Sequence, residues 1–114
     1  MIAVIFEVIP YAGKMESYLG IAAALGSKLT EIDGFISVER FQSLSQPGKL
    51  LSLSFWRDEA AVTQWRNFEE HRNAQNAGRE HIFSDYRLRI AGISRDYGKV
   101  DRSDAPDDSK DFHG

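Results

Sequence analysis

Apolar residues in the first nine positions fall on both parities: Ile2, Val4, Phe6 and Val8 on one, Ala3, Ile5 and Ile9 on the other, broken by Glu7. A strand of that kind is covered on both faces. Pro10 closes it. After Gly13, Met15, Tyr18, Leu19, Ala22, Leu25 and Leu29 recur at helical spacing and predict a helix of roughly four turns with one buried stripe. Asp33-Gly34 marks a turn, residues 35–42 a second strand, Ser45-Gln46-Pro47-Gly48 a hairpin loop, and residues 49–56 a third strand in which Leu51, Leu53 and Phe55 alternate. The spacing becomes helical after Asp58, a residue suited to cap the helix, and the pattern carries it to about Asn67. Residues 68–84 are polar and predict only short helical pieces, while 85–97 predict a long fourth strand. From Lys99 the chain is too polar to bury anything. One domain is therefore expected over 1–98, followed by a disordered tail over 99–114.

The order β-α-β-β-α-β predicts a ferredoxin-like α+β fold, a four-stranded antiparallel sheet with two helices on one face. By parity, Ile2, Val4, Phe6, Ile36, Val38, Leu51, Leu53, Phe55, Leu88 and Ile90 are expected to face the helices. The open side is then expected to carry Ile5, Glu7, Ile9, Phe35, Ser37, Glu39, Phe41, Ser52, Ser54, Trp56, Arg87, Arg89 and Ala91. That mixture is too apolar for water, and a second subunit packed sheet to sheet would cover it. A homodimer is the expectation.

Composition narrows the partners. Of the 114 residues, 42% are hydrophobic and 27% charged, as in an ordinary globular domain, and the net charge is -3. There is no basic stripe, so nucleic acid is not an expected partner. No apolar run approaches the ~18 residues of a membrane span, and the first residues read as a strand instead of a signal peptide. The absence of cysteine removes disulfides, thiolate metal sites and a cysteine nucleophile, and suits a reducing compartment such as the cytoplasm.

Chemistry concentrates around one strand-to-helix junction. Trp56 and Trp65 each offer an indole donor and a broad stacking face, though both also suit plain packing. His71 is the best-placed proton acceptor, because imidazole titrates near neutral pH; as a surface residue on a polar segment it would do nothing. His81 and His113 stand among polar residues, and scattered histidines without cysteine do not make a metal site. Glu7, Glu39, Arg87 and Arg89 would either compensate one another or, through an arginine, hold an anionic ligand oxygen.

Several short stretches carry a resemblance. Asp33-Gly34-Phe35 precedes the second strand, Phe55-Trp56-Arg57-Asp58-Glu59-Ala60 ends the third, Glu70-His71 follows, and Arg95-Asp96-Tyr97 closes the last. With the strand order, these resemble the antibiotic biosynthesis monooxygenase family of dimeric α+β barrels over residues 2–97. The resemblance implies a two-subunit barrel. Family members include oxygenases that turn phenolic polyketides into quinones without metal or flavin, quinol oxygenases, haem-degrading enzymes and many small proteins of unknown role. Trp56 matches the tryptophan that ends the third strand in the polyketide oxygenases. Their asparagine four residues earlier is Ser52 here, and the tyrosine of their following helix is Val62. Haem-degrading members carry a first-strand asparagine, a helix tryptophan and an iron-binding histidine, where this chain has Glu7, Trp65 and Gln75. Glutamine is a poor axial ligand beside imidazole, which argues against haem.

Two functions follow from this resemblance. One is a cofactor-independent monooxygenase for a small phenol- or quinol-like aromatic, with His71 as base. Trp56 and Trp65 would then be walls, and Ser52, Glu7, Arg87 and Arg89 substrate contacts. The other is a non-catalytic small-molecule binding or interaction protein on the same barrel.

Overall fold

The computed structural model describes residues 1–75 and 82–113, with side chains described for 1–68 and 82–110. The elements run β1 (Ile2–Pro10), α1 (Met15–Leu29), β2 (Phe35–Gln42), β3 (Leu50–Trp56), α2 (Glu59–Gln75), β4 (Phe83–Gly92) and α3 (Asp107–His113). The four strands form a sheet in the order β2-β3-β1-β4, with antiparallel neighbours throughout. This is the ferredoxin-like α+β fold. β1 lies inside the sheet between β3 and β4, which is why it is apolar on both parities.

Two apolar clusters fill the space between sheet and helices. Val8 and Leu50 meet Tyr18 and Ala22 of α1, with Ile82. At the other end Trp56 meets Leu29 of α1 and Ala61 and Val62 of α2. The Asp58 carboxylate accepts a hydrogen bond from the Ala61 backbone N–H at 3.0 Å and so satisfies one of the free donors at the start of α2. α2 does not stop near Asn67 as the polar pattern suggested. It continues to Gln75, because no proline or glycine interrupts the chain before Gly78.

The strand register overturns part of the expected face assignment. Ile2 is opposite Trp56, Val4 opposite Ser54, Phe6 opposite Ser52 and Val8 opposite Leu50. Directly opposed residues share a face. Ser52, Ser54 and Trp56 therefore face the helices, and Leu51, Leu53 and Phe55 lie on the open side, the reverse of the expectation. Phe35 also changes sides, since it is opposite Trp56, and a register shift between Phe35 and Ser37 leaves Ile36 exposed. Alternation along a strand separates two faces but does not say which is the core. On β3 the more apolar face is the open one. Glu7, Glu39, Arg87 and Arg89 do lie on the open side, as parity predicted.

β4 ends at Gly92, short of Tyr97. It pairs only with β1, and Ile93 donates to the Met1 carbonyl at the point where that partner begins. The tail over 99–114 was expected to be disordered; the structure places α3 (Asp107–His113) in it. Asp104 accepts from the Asp96 backbone N–H at 2.7 Å, and Arg102 donates to the Gly98 carbonyl and the Ser109 hydroxyl. Asp107 and Asp108 occupy the first turn of α3, where carboxylates favour the positive end of the helix dipole. Such local polar bonds leave no trace in a hydrophobic pattern.

Candidate functional site

Trp56 is fully enclosed at the end of β3. Phe35 meets it edge-on, with ring centroids 5.3 Å apart and planes at 72°. Trp65 stacks against it from α2 at 6.4 Å and 27°, and Phe68 stacks in turn on Trp65 at 5.7 Å and 24°. Residues three apart on a helix share a face, which is how Trp65 and Phe68 join one ladder. The Trp56 Nε1–H donates to Ser54 Oγ at 2.9 Å. Its donor is thus used inside the protein, and its faces are occupied. Ser52 lies one pleat further along the same face, between Phe6 and Arg40, with no side-chain hydrogen bond among the described residues.

A charged clamp fixes the start of α2 beneath this ladder. The Arg57 guanidinium donates to both Asp33 oxygens at 3.2 Å and to Asp58 at 3.2 Å, and the Arg57 backbone N–H donates to the Gly34 carbonyl at 2.7 Å. Asp58 is held below its ordinary carboxylate value, first by the Ala61 backbone N–H and then by Arg57. The same two carboxylates push Arg57 up. All three groups are exposed, so they set geometry more than they add stability.

The other face carries a separate group. Glu7 lies between Arg89 at 3.2 Å and Lys49 at 3.8 Å, with Arg87 directly opposite it on β4. Glu7, Lys49 and Arg87 border a shallow depression of about 70 Å³ lined also by Ile9, Asp85 and Tyr86. Arg87 forms no ion pair among the described residues.

The residues singled out from sequence therefore divide. Trp56, Trp65 and Ser52 share the helix side; Glu7, Arg87 and Arg89 share the open side, with the sheet between them. No single pocket in one chain holds all six. Glu7 consequently does not meet Trp65. His71 and Gln75 lie in α2, His113 lies in α3, and their side chains fall outside the described ones; His81 falls outside the described residues altogether. Among the described residues no three His, Cys, Asp or Glu side chains converge to hold a metal ion, and no helix is long and apolar enough to cross a membrane. Sequence reasoning missed Phe35, Ser54 and Phe68 as partners of the tryptophans. The three-residue spacing of Trp65 and Phe68 was the available signal for one of them.

Comparison with known proteins fits this geometry. The family model described as antibiotic biosynthesis monooxygenase matches residues 1–77. A protein of Pyricularia oryzae named jasmonate monooxygenase ABM is 47% identical over 94 residues, covering 82% of this chain and 44% of the relative. The chain thus spans less than half the length of that relative. In fold it is similar to a putative antibiotic biosynthesis monooxygenase from Deinococcus radiodurans, with a TM-score of 0.74, 16% identity, and 88% and 99% of the two chains covered. It is also similar to SnoaB, a cofactor-independent oxygenase from Streptomyces nogalater, with a TM-score of 0.66, 11% identity, and coverage of 83% and 94%.

Proposed function

Because this chain belongs to the antibiotic biosynthesis monooxygenase family, we propose that it transfers one atom of dioxygen to a small organic molecule with an apolar body and one ionisable group. The observation that carries this reading is the 47% identity to a monooxygenase over 82% of the chain. The helix side of the sheet supports it with aromatic surface at Trp65 and Phe68 and a hydroxyl at Ser52. Trp56 is enclosed and stacks on Trp65, which supports a role in orienting Trp65 more than in contacting substrate. His71, six residues after Trp65 on α2, is the proposed base, since neutral imidazole accepts a proton at physiological pH.

For a phenol free at the position para to its hydroxyl, the electrons come from the substrate. The base takes the hydroxyl proton, the ring carbon bonds one oxygen of O2, and the hydroperoxide loses water to leave a quinone. Phenol plus O2 gives quinone plus water, with no added reductant. The relative's name favours a second substrate, jasmonate, which is a carboxylate. Hydroxylating it consumes O2, two protons and two electrons and releases water, so a two-electron donor such as a reduced nicotinamide must be added.

Oxygen uptake separates these cases. Phenols and quinols are tested alone, and jasmonate with reduced nicotinamide, each with 18O2 and mass analysis of the product. Incorporation of one labelled atom supports the reading and identifies the substrate class. Tight binding of these compounds without oxygen uptake replaces it with a non-catalytic binding role.

A further inference from the structure

Arg87 and Arg89 lie across the sheet from Trp65, so neither can hold a substrate anion against the aromatic ladder. Among the described strand residues, one cation does face that side. Arg40 of β2 is opposite Ser52 of β3, which is opposite Phe6 of β1, which is opposite Leu88 of β4. On β2 its neighbour on the same face is Val38, which packs against the cluster containing Trp56 and Trp65. Arg57 and Arg89 have carboxylate partners, but Arg40 has none among the described residues. Its Nε is sealed from solvent without an acceptor. A guanidinium so placed is under-satisfied, and an incoming acceptor gains what the protein does not supply.

The far end of the row has the opposite character. Leu88 is 51% exposed although it faces the helix side, as are its same-face neighbours Tyr86 and Ile90 at 61% and 47%. With strands ~4.8 Å apart, the row from Arg40 to Leu88 spans roughly 14–15 Å. We propose that this row is a binding strip for an amphipathic carboxylic acid. The carboxylate accepts from Arg40 Nε–H and one terminal nitrogen, so that the sealed donor gains its acceptor; Ser52 Oγ–H donates to it, and the apolar body lies over Phe6 and Leu88. The proposal rests on the monooxygenase reading only in placing substrate on the helix side.

The test uses decanoate, of matching length, against decan-1-ol, both below their aggregation limits. Binding is read from the fluorescence of Trp56 and Trp65. The unaltered chain is expected to bind the acid at least tenfold more tightly than the alcohol. Arg40→Gln is expected to abolish that preference while leaving alcohol binding unchanged. Arg40→Lys is expected to keep part of it, since charge remains but the planar fork is lost. Retention of the full preference in Arg40→Gln overturns the proposal, and so does an unaltered chain that prefers neither probe. If Arg40→Gln does not fold, as judged by circular dichroism, Ser52→Ala decides: it must weaken decanoate several-fold and spare decan-1-ol. Oxygen uptake is not read, so a missing turnover does not touch this site. A missing acid preference leaves the monooxygenase reading to its own assay.

Discussion

Gly34 shows how much of this fold hangs on one residue. Its φ is +96°, a backbone region that side chains rarely adopt. A Cβ there would lie 2.8 Å from the Ala61 Cβ and 3.3 Å from the Arg57 Cζ. Gly34→Ala is therefore expected to cost about 1–3 kcal/mol from the backbone alone, measured by urea denaturation, and to disturb the start of α2. Trp56 makes a second case. Trp56→Phe keeps an aromatic ring but leaves Ser54 Oγ without its buried donor and a void beside Trp65. A loss of about 1–3 kcal/mol is expected by the same measurement, with any effect on substrate following from a displaced Trp65. His71 is different, since its expected role is chemical: His71→Ala should lower turnover of an identified substrate by roughly 10²–10⁴-fold. Normal turnover in that variant would remove His71 as the base. Trp56, Trp65 and Gly34 were legible in the sequence because tryptophans and an Asp-Gly turn are rare enough to announce themselves. Arg40 was not. What marks it is the absence of an acid partner among the described residues, and the register and the sealed Nε reveal that.

At the scale of elements, the cap of α2 makes a pH prediction. The Asp58 carboxylate accepts from Ala61 and pairs with Arg57, and both hold its proton affinity below the ordinary 3.8. A depressed carboxylate contributes stability above its unfolded value and loses it as pH falls through its folded value. The difference in melting temperature between the unaltered chain and Asp58→Ala should therefore be steady at neutral pH and shrink as pH drops below about 4. A gap that persists under strongly acidic conditions would show that the residue acts by packing instead. Element types and order from β1 to β4 were legible, helped by the change of hydrophobic period from two to helical spacing at Asp58. Element ends were not. α2 outruns its apolar pattern because nothing breaks it, and β4 falls short because β1, its partner, begins at Ile2. The side of β3 was misjudged since Leu51, Leu53 and Phe55 are more apolar than Ser52 and Ser54 across the strand.

That same inversion matters most for the molecule as a whole. Leu51, Leu53, Phe55, Ile5 and Ile9 lie on the sheet face opposite the one that α1 and α2 cover, and Phe41 beside them is 43% exposed. Glu39 and Arg87 on that face have no ion-pair partners among the described residues. The radius of gyration is 16.8 Å, against about 13 Å for a compact domain of this length. One chain therefore leaves unburied what a fold of this size would enclose, and a second copy packed sheet to sheet is the proposed cover. An interface of ordinary size would bury roughly 800 Å² per subunit. The enclosed core of each chain is small, so dissociation and unfolding should be coupled. The melting temperature is then expected to rise with protein concentration. Leu53 lies near the middle of the face, opposite Ile5 and Glu39. Leu53→Asp would place a carboxylate there without touching the Trp56 cluster, and it should give a monomer with a lower, concentration-independent melting temperature. Sedimentation equilibrium on both chains decides the matter: an unaltered chain that is monomeric at micromolar concentration leaves the apolar face without its proposed partner and rejects the two-subunit barrel for this protein.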